Sequence, residues 1–209
     1  MASDFSTVRS QASQVLDFLE REEIEASDRS TFVFRAQNEV VNRKSLNLLR
    51  RVIFTKIPTL AISTVLVREN HTGSTDEALF TRVAFVTFKN PQNLPRAKFQ
   101  LKLQGPRTVY AGDLIPLDSN IETVDPYSPI DVLQENESID LICTATLNKA
   151  EVHSRFFPAT VAFVPVEEAR SPFLRFVIES RGVYTPREIL DLAVEATKKK
   201  PRQRKSESV

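Results

Sequence analysis

Apolar positions along the chain fall into three textures. Over residues 4–25 they sit at Phe5, Val8, Val15, Leu16, Phe18 and Leu19, a spacing that predicts a helix running into the acidic stretch EREEIE. STFVFRA (30–36) is short and rich in β-formers, and predicts a strand. NEVVNRKSLNLLRRVIF then places Leu46, Leu49 and Ile53 at helical spacing, with Leu48 and Val52 beside them, so a helix is expected over about 42–55. Pro58 stops it, and TLAISTVLV (59–67) is a nearly continuous apolar strand.

The texture changes after the polar stretch RENHTGSTDE (68–77). LFTRVAFVTF, AKFQLKLQ, TVYAGDLI, SIDLICTATL and ATVAFVPV are short β-rich pieces separated by turn residues. They predict a mostly β module over about 70–165. FLRFVIESRG (173–182) is a strand stopping at Gly182. TPREILDLAVEATKK opens on Thr185 as N-cap, Pro186 at the first helical position and Glu188 three residues after the cap, which is a capping box. Ile189, Leu190, Ala193 and Val194 then share one side of the helix. A strand–helix–strand start and a strand–helix end thus flank a β-rich middle. The expected class is α+β: a discontinuous domain of a sheet plus two packing helices (29–69 and 166–199) with an inserted mostly-β domain (70–165). A helical N-terminal extension (1–28) and a basic tail (200–209) complete the layout. No internal repeat is visible.

Composition narrows function. The 209 residues are 41% apolar and 26% charged, as in ordinary globular proteins, and no apolar run approaches the ~18 residues of a membrane span. MASDFSTVRSQ lacks the basic-then-apolar order of a signal peptide. One cysteine, Cys143, offers no internal disulfide and no thiolate set for zinc or an iron–sulfur cluster. The expected compartment is therefore the reducing interior of a cell, cytoplasmic or nuclear, or a virion assembled there.

Net charge of +1 hides a segregation. KKKPRQRKSESV carries six basic residues and one acidic, leaving 22 basic against 26 acidic over residues 1–197. A mildly acidic body argues against a broad nucleic-acid surface. The tail residues Lys198, Lys199, Lys200, Arg202, Arg204 and Lys205 admit three readings: a solvated disordered end, an import signal, or a phosphate contact. Catalytic motifs are missing. There is no P-loop, dinucleotide turn or G-x-S-x-G, and His71 and His153 stand apart with no ligand cluster. Glu20, Glu22, Glu23 and Glu25 form a solvated charge run rather than an acid/base pair. No cofactor, metal or catalytic residue is expected.

One stretch resists a bland account. Asn47-Leu48-Leu49-Arg50-Arg51-Val52, then Ile57-Pro58-Thr59-Leu60-Ala61-Ile62, resembles the signature of a subunit family of multisubunit RNA polymerase: the bacterial alpha amino-terminal domain, the archaeal D subunit and the eukaryotic third-largest subunit. Three further segments follow in family order. Leu103-Gln104-Gly105-Pro106-Arg107-Thr108-Val109-Tyr110-Ala111-Gly112-Asp113-Leu114 resembles the "G-P-x-T-V-x-A-G-D" turn of the inserted domain. His153-Ser154-Arg155-Phe156-Phe157-Pro158-Ala159 is similar to the "H-x-K-[WF]-x-P" loop that closes it. Phe176-Val177-Ile178-Glu179-Ser180-Arg181-Gly182 and the capped helix after it look like the return strand and final dimerisation helix. The resemblance covers about residues 30–199. Departures are Leu48 where a small residue is usual, the lack of extra cysteines, and no counterpart to the bacterial DNA-binding carboxy-terminal domain. These favour a D-like or eukaryote-like member, a virus-encoded one included.

The resemblance implies a non-catalytic assembly subunit. It would dimerise with a smaller alpha/D-family relative, or with itself, and dock the second-largest and largest polymerase subunits, meeting DNA only through the complex. Leu46, Leu49, Ile53, Ile189, Leu190, Ala193 and Val194 are the dimer-interface expectation. Asn47, Arg50 and Arg51 are the large-subunit docking expectation, since guanidinium groups held on a helix form forks for carboxylates. The alternative is a nucleic-acid-binding accessory protein that uses the basic tail.

Overall fold

The structure, a computed structural model, describes residues 24–27, 31–36, 43–89, 93–166 and 173–198. Ten strands and three α-helices lie among them. Strands β1 (Ile24–Ser27), β2 (Thr31–Ala36), β10 (Phe173–Ser180) and β9 (Ala159–Val166) form one antiparallel sheet in the order β1-β2-β10-β9. The long pairing runs from Phe173 opposite Val166 to Ser180 opposite Ala159. Period-two alternation turns Phe176 and Ile178 of β10, and Ala159 and Val161 of β9, to the same buried side.

Helices α1 (Arg43–Lys56) and α3 (Pro186–Lys198) cover that side. α1 ends where the sequence says it must: Pro58 disfavours helical geometry at Ile57, and the chain continues as a strand. Thr185 and Glu188 make the expected capping box, the Thr185 amide donating to Glu188 Oε2 at 2.7 Å and the Glu188 amide to Thr185 Oγ1 at 3.3 Å.

The second sheet has the order β3-β8-β4-β6, from β3 (Pro58–Asn70), β8 (Ser138–Lys149), β4 (Arg96–Gln104) and β6 (Ile115–Pro116). A ribbon of β5 (Arg107–Tyr110) and β7 (Pro129–Leu133) and the helix α2 (Asp76–Ala84) close over its apolar face. Phe88 and Phe99 stack at 4.6 Å inside this core. Cys143 is buried on β8, where loss of water pushes its thiol up to about 12; it is packing, not a nucleophile.

Three expectations change. LFTRVAFVTF is not a strand. Thr75 caps a helix by accepting from the Ala78 amide at 3.3 Å, Asp76 and Glu77 fill its first turn, and Leu79 and Val83, four apart, are buried on one face. Residues 24–27 of the extension expected to be helical pair with β2 as an edge strand, because cross-strand hydrogen bonding outweighs a short helical period. The rest of that extension lies outside the described residues. Finally, residues 59–67, read with the two helices in one unit, leave them at Pro58 and pair with β8 over the length of β3.

Candidate assembly face

Helix α1 carries Arg43, Lys44, Arg50, Arg51 and Lys56 and no acidic residue. Its inner side is apolar. Leu46, Val52 and Ile53 are buried against α3 and the first sheet, with Leu49 beside them. Six of the seven residues expected at a dimer interface, Leu46, Leu49, Ile53, Ile189, Leu190 and Ala193, share one buried cluster within this chain, and Val194 is buried outside it. Leu46, Ile53, Ile189 and Ala193 have no exposed area, and Leu49, Leu190 and Val194 are at most 6% exposed. A side chain with no exposed area has none to bury against a partner. These residues hold the helix pair together, and truncating Leu46 or Ile53 to alanine costs about 2–5 kcal/mol of folding. Any contact made there uses the flanking half-buried residues, among them Leu48, Leu192 and Ala196.

The outer side of α1 carries the docking expectation. Asn47 and Arg51 are exposed, and Arg50 is half-buried. Among the described residues neither arginine has an ion pair, and the buried Nε of Arg50 has no hydrogen-bond partner. Arg50 instead lies over the Phe54 ring, its Cζ 5.3 Å from the centroid. Phe54 in turn stacks on Phe157 at 4.8 Å and 26°. Two residues beyond Phe54, Lys56 pairs with Glu151. Phe54 and Phe157 were not singled out by the sequence, although Arg50 and Phe54 are four apart on a helix and therefore neighbours.

Phe157 comes from the H-x-K-[WF]-x-P-like loop, a 3-10 turn at Ser154–Phe156 between β8 and β9. This loop is tied down by two arginines that the sequence reading also left without a role. Arg155 Nη1 donates to the Ile62 carbonyl at 2.9 Å, and its Nε and amide donate to His153 Nδ1. Arg181, in the turn after β10, donates to the Phe157 carbonyl at 3.3 Å and the Phe85 carbonyl at 3.0 Å. Burial holds both guanidinium groups below the usual arginine range. Tyr184 adds a bond from its hydroxyl to the Pro58 carbonyl at 2.8 Å. Both points where the chain passes between the two sheets are thus fastened by side chains.

The remaining expected groups have structural surroundings. His71 Nδ1 lies 3.2 Å from Ser138 Oγ. Gly105-Pro106 and Gly112-Asp113 sit in turns, with Asp113 accepting from Arg107 at 2.7 Å and from the Tyr110 amide at 2.8 Å. Among the described residues, no three His, Cys, Asp or Glu come together as a metal would require, and no helix is long and apolar enough to cross a membrane. Lys198 ends α3, while Lys199, Lys200, Arg202, Arg204 and Lys205 lie outside the described residues.

A helix pair thus packs on one side of a sheet, with Arg50 and Arg51 on its outer side. Residues 44–200 match the sequence model of the family described as the RNA polymerase Rpb3/Rpb11 dimerisation domain. The DNA-directed RNA polymerase subunit Rpo3 of Methanocaldococcus jannaschii is 30% identical over 156 residues, covering 74% of this chain and 79% of that protein. Its namesake from Natronomonas pharaonis is 31% identical over 112 residues, 52% of this chain and 45% of that protein. That of Halobacterium salinarum is 29% identical over 143 residues, 67% and 54% respectively. The chain thus spans about four-fifths of the first relative and about half of the other two. It belongs to the alpha/D/Rpb3 family of RNA polymerase subunits, and the resemblance read from its sequence is borne out. A virion location finds no support among these relatives.

Proposed function

We propose that this subunit acts as a non-catalytic platform of a multisubunit DNA-directed RNA polymerase inside the cell. It pairs with a smaller family relative, or a second copy, through the α1–α3 side and docks the second-largest and largest subunits through Asn47, Arg50 and Arg51. The observation that carries this is the adjacent arginine pair on a helix with no acidic residue, which pairs with no carboxylate among the described residues. A solvated face would serve as well with lysines at mixed spacing. A guanidinium laid on an aromatic ring is a fixed fork. Catalysis resides on the large subunits, and none is assigned to this chain. The layout is read as a discontinuous dimerisation domain carrying an inserted β-rich domain, which the two separate apolar clusters support. β3 is better counted with the insert, whose start then moves from 70 to 58.

The dimer contact gains its energy from apolar area flanking the helix pair, at ~25 cal/mol per Å² before ordering costs. Arg50→Glu with Arg51→Glu tests the docking assignment. In co-expression with the polymerase subunits of its source, the variant should keep the small partner and lose both large subunits. Loss of the small partner as well, or retention of everything, contradicts it. The competing reading, nucleic-acid binding through Lys198 to Lys205, is separated by deleting residues 198–209. Assembly survives that deletion, whereas tail-driven binding does not.

A further inference from the structure

We infer that Phe54 and Phe157 are positioning residues for Arg50, and that together they set it to receive a partner carboxylate end-on through its two terminal nitrogens. This rests on the docking role proposed above for Arg50. Three layers lie in sequence: the guanidinium of Arg50, the ring of Phe54 5.3 Å away, and the ring of Phe157 at 4.8 Å. Phe157 is itself fixed. Its carbonyl accepts from Arg181 at 3.3 Å, its amide donates to Ser154 at 3.2 Å, and the next carbonyl, of Pro158, accepts from the Arg181 amide at 3.2 Å. The last layer of the stack is therefore anchored to the turn after β10 rather than to α1.

The stack constrains the geometry of docking. Arg50 Nε is buried and has no partner, so the side-on approach, which engages Nε and one terminal nitrogen, is closed. No hydrogen bond to the terminal nitrogens is formed among the described residues either. They remain for a bidentate carboxylate. An arginine free in solution loses rotamer freedom when it pairs, and one already laid on a ring that a second ring backs has lost part of it beforehand. Lysine at this position would lack the planar fork and the stacking surface. Because Phe157 lies about a hundred residues from Arg50 in the chain, the readiness of the docking side chain depends on the β8–β9 loop holding its place against α1.

The test is a double-mutant cycle on the full chain with its dimer partner, reading affinity for the second-largest polymerase subunit of its source. Arg50→Ala should weaken binding on the order of tenfold or more. Phe157→Leu should weaken it several-fold, Phe157→Tyr should retain wild-type affinity, and Arg50→Ala with Phe157→Leu should be no weaker than Arg50→Ala alone. Arg51→Ala with Phe157→Leu, by contrast, should show multiplied effects. Circular dichroism checks that Phe157→Leu is folded; if it is not, Phe54→Leu is read in the same cycle. Independent, multiplying effects of Arg50 and the ring, or wild-type affinity in a folded ring variant while Arg50→Ala is impaired, overturn the positioning role and leave the docking role standing. Unchanged affinity in Arg50→Ala overturns both.

Discussion

Arg155 Nη1 donates to the carbonyl of Ile62 across 2.9 Å, tying the loop between β8 and β9 to the edge strand β3. The same guanidinium lies over the Phe80 ring of α2 at 4.8 Å, so one side chain joins three elements of the β-rich part. A hydrogen bond from a charged donor and a cation–π contact, both partly desolvated, together stabilise by about 1–3 kcal/mol. Arg155→Leu should lose most of this, since it keeps bulk over Phe80 but removes the charged donor to the Ile62 carbonyl. Urea unfolding at neutral pH measures the shift; a change under about 0.5 kcal/mol, the range of ordinary surface substitutions, would contradict the role given to Arg155.

Asp140 provides a pH dependence. It is buried on β8, and its carboxyl is held below the usual carboxylate range first by the hydrogen bond from Gln100 at 3.0 Å, then by the bond and charge of Lys102 at 3.1 Å and the charge of Arg68, against the opposing effect of burial. The unfolded chain therefore binds this proton more readily than the folded one. The stabilisation is present above the ordinary carboxylate pKa and is lost as pH falls through the folded value. Asp140→Asn should cost about 2 kcal/mol at neutral pH and reduce the fall in urea midpoint on acidification. An acid limb as steep as that of the unsubstituted protein would mean that Asp140 does not carry it.

Gly182 is the residue the turn after β10 cannot replace cheaply. Its φ is +85°, and a Cβ placed there would lie 2.3 Å from Val124 Cγ1. Gly182→Ala meets both a backbone penalty and a clash, and should destabilise by about 2 kcal/mol or more. Adding Val124→Ala removes the clash but not the backbone term, so the pair should recover part of the loss beyond what the Val124 cavity costs. Thermal unfolding of the two single variants and the pair decides this; no recovery would place the whole penalty in the backbone.

The elements most legible in the sequence are those whose signals are local. The α3 start is written in Thr185, Pro186 and Glu188, within four residues, and α1 is written in Leu46, Leu49 and Ile53 with Pro58 as its stop. α2 escaped because its cap, Thr75, lies inside a polar stretch that resembles a loop, and its nine residues alternate enough to suggest a strand. The 24–27 strand escaped because its hydrogen bonds are to β2, and an edge strand borrows its structure from a neighbour.

For the assembly face, periodicity said that α1 and α3 each have an apolar side but not what covers it. Leu46 and Ile189 are covered by their own chain. The arginine pair was visible as two charges inside an apolar run. Phe54 and Phe157 were not, since their stack joins residues 103 apart and no local pattern encodes such a meeting.

The most direct measurement is recovery of the tagged chain from its native source, with mass spectrometry of what accompanies it and light scattering of the complex. The polymerase-platform account predicts two very large polymerase subunits together with a smaller family relative or a second copy of this chain. A stable lone monomer, free of any polymerase subunit, would contradict it and leave the family fold without the family's role.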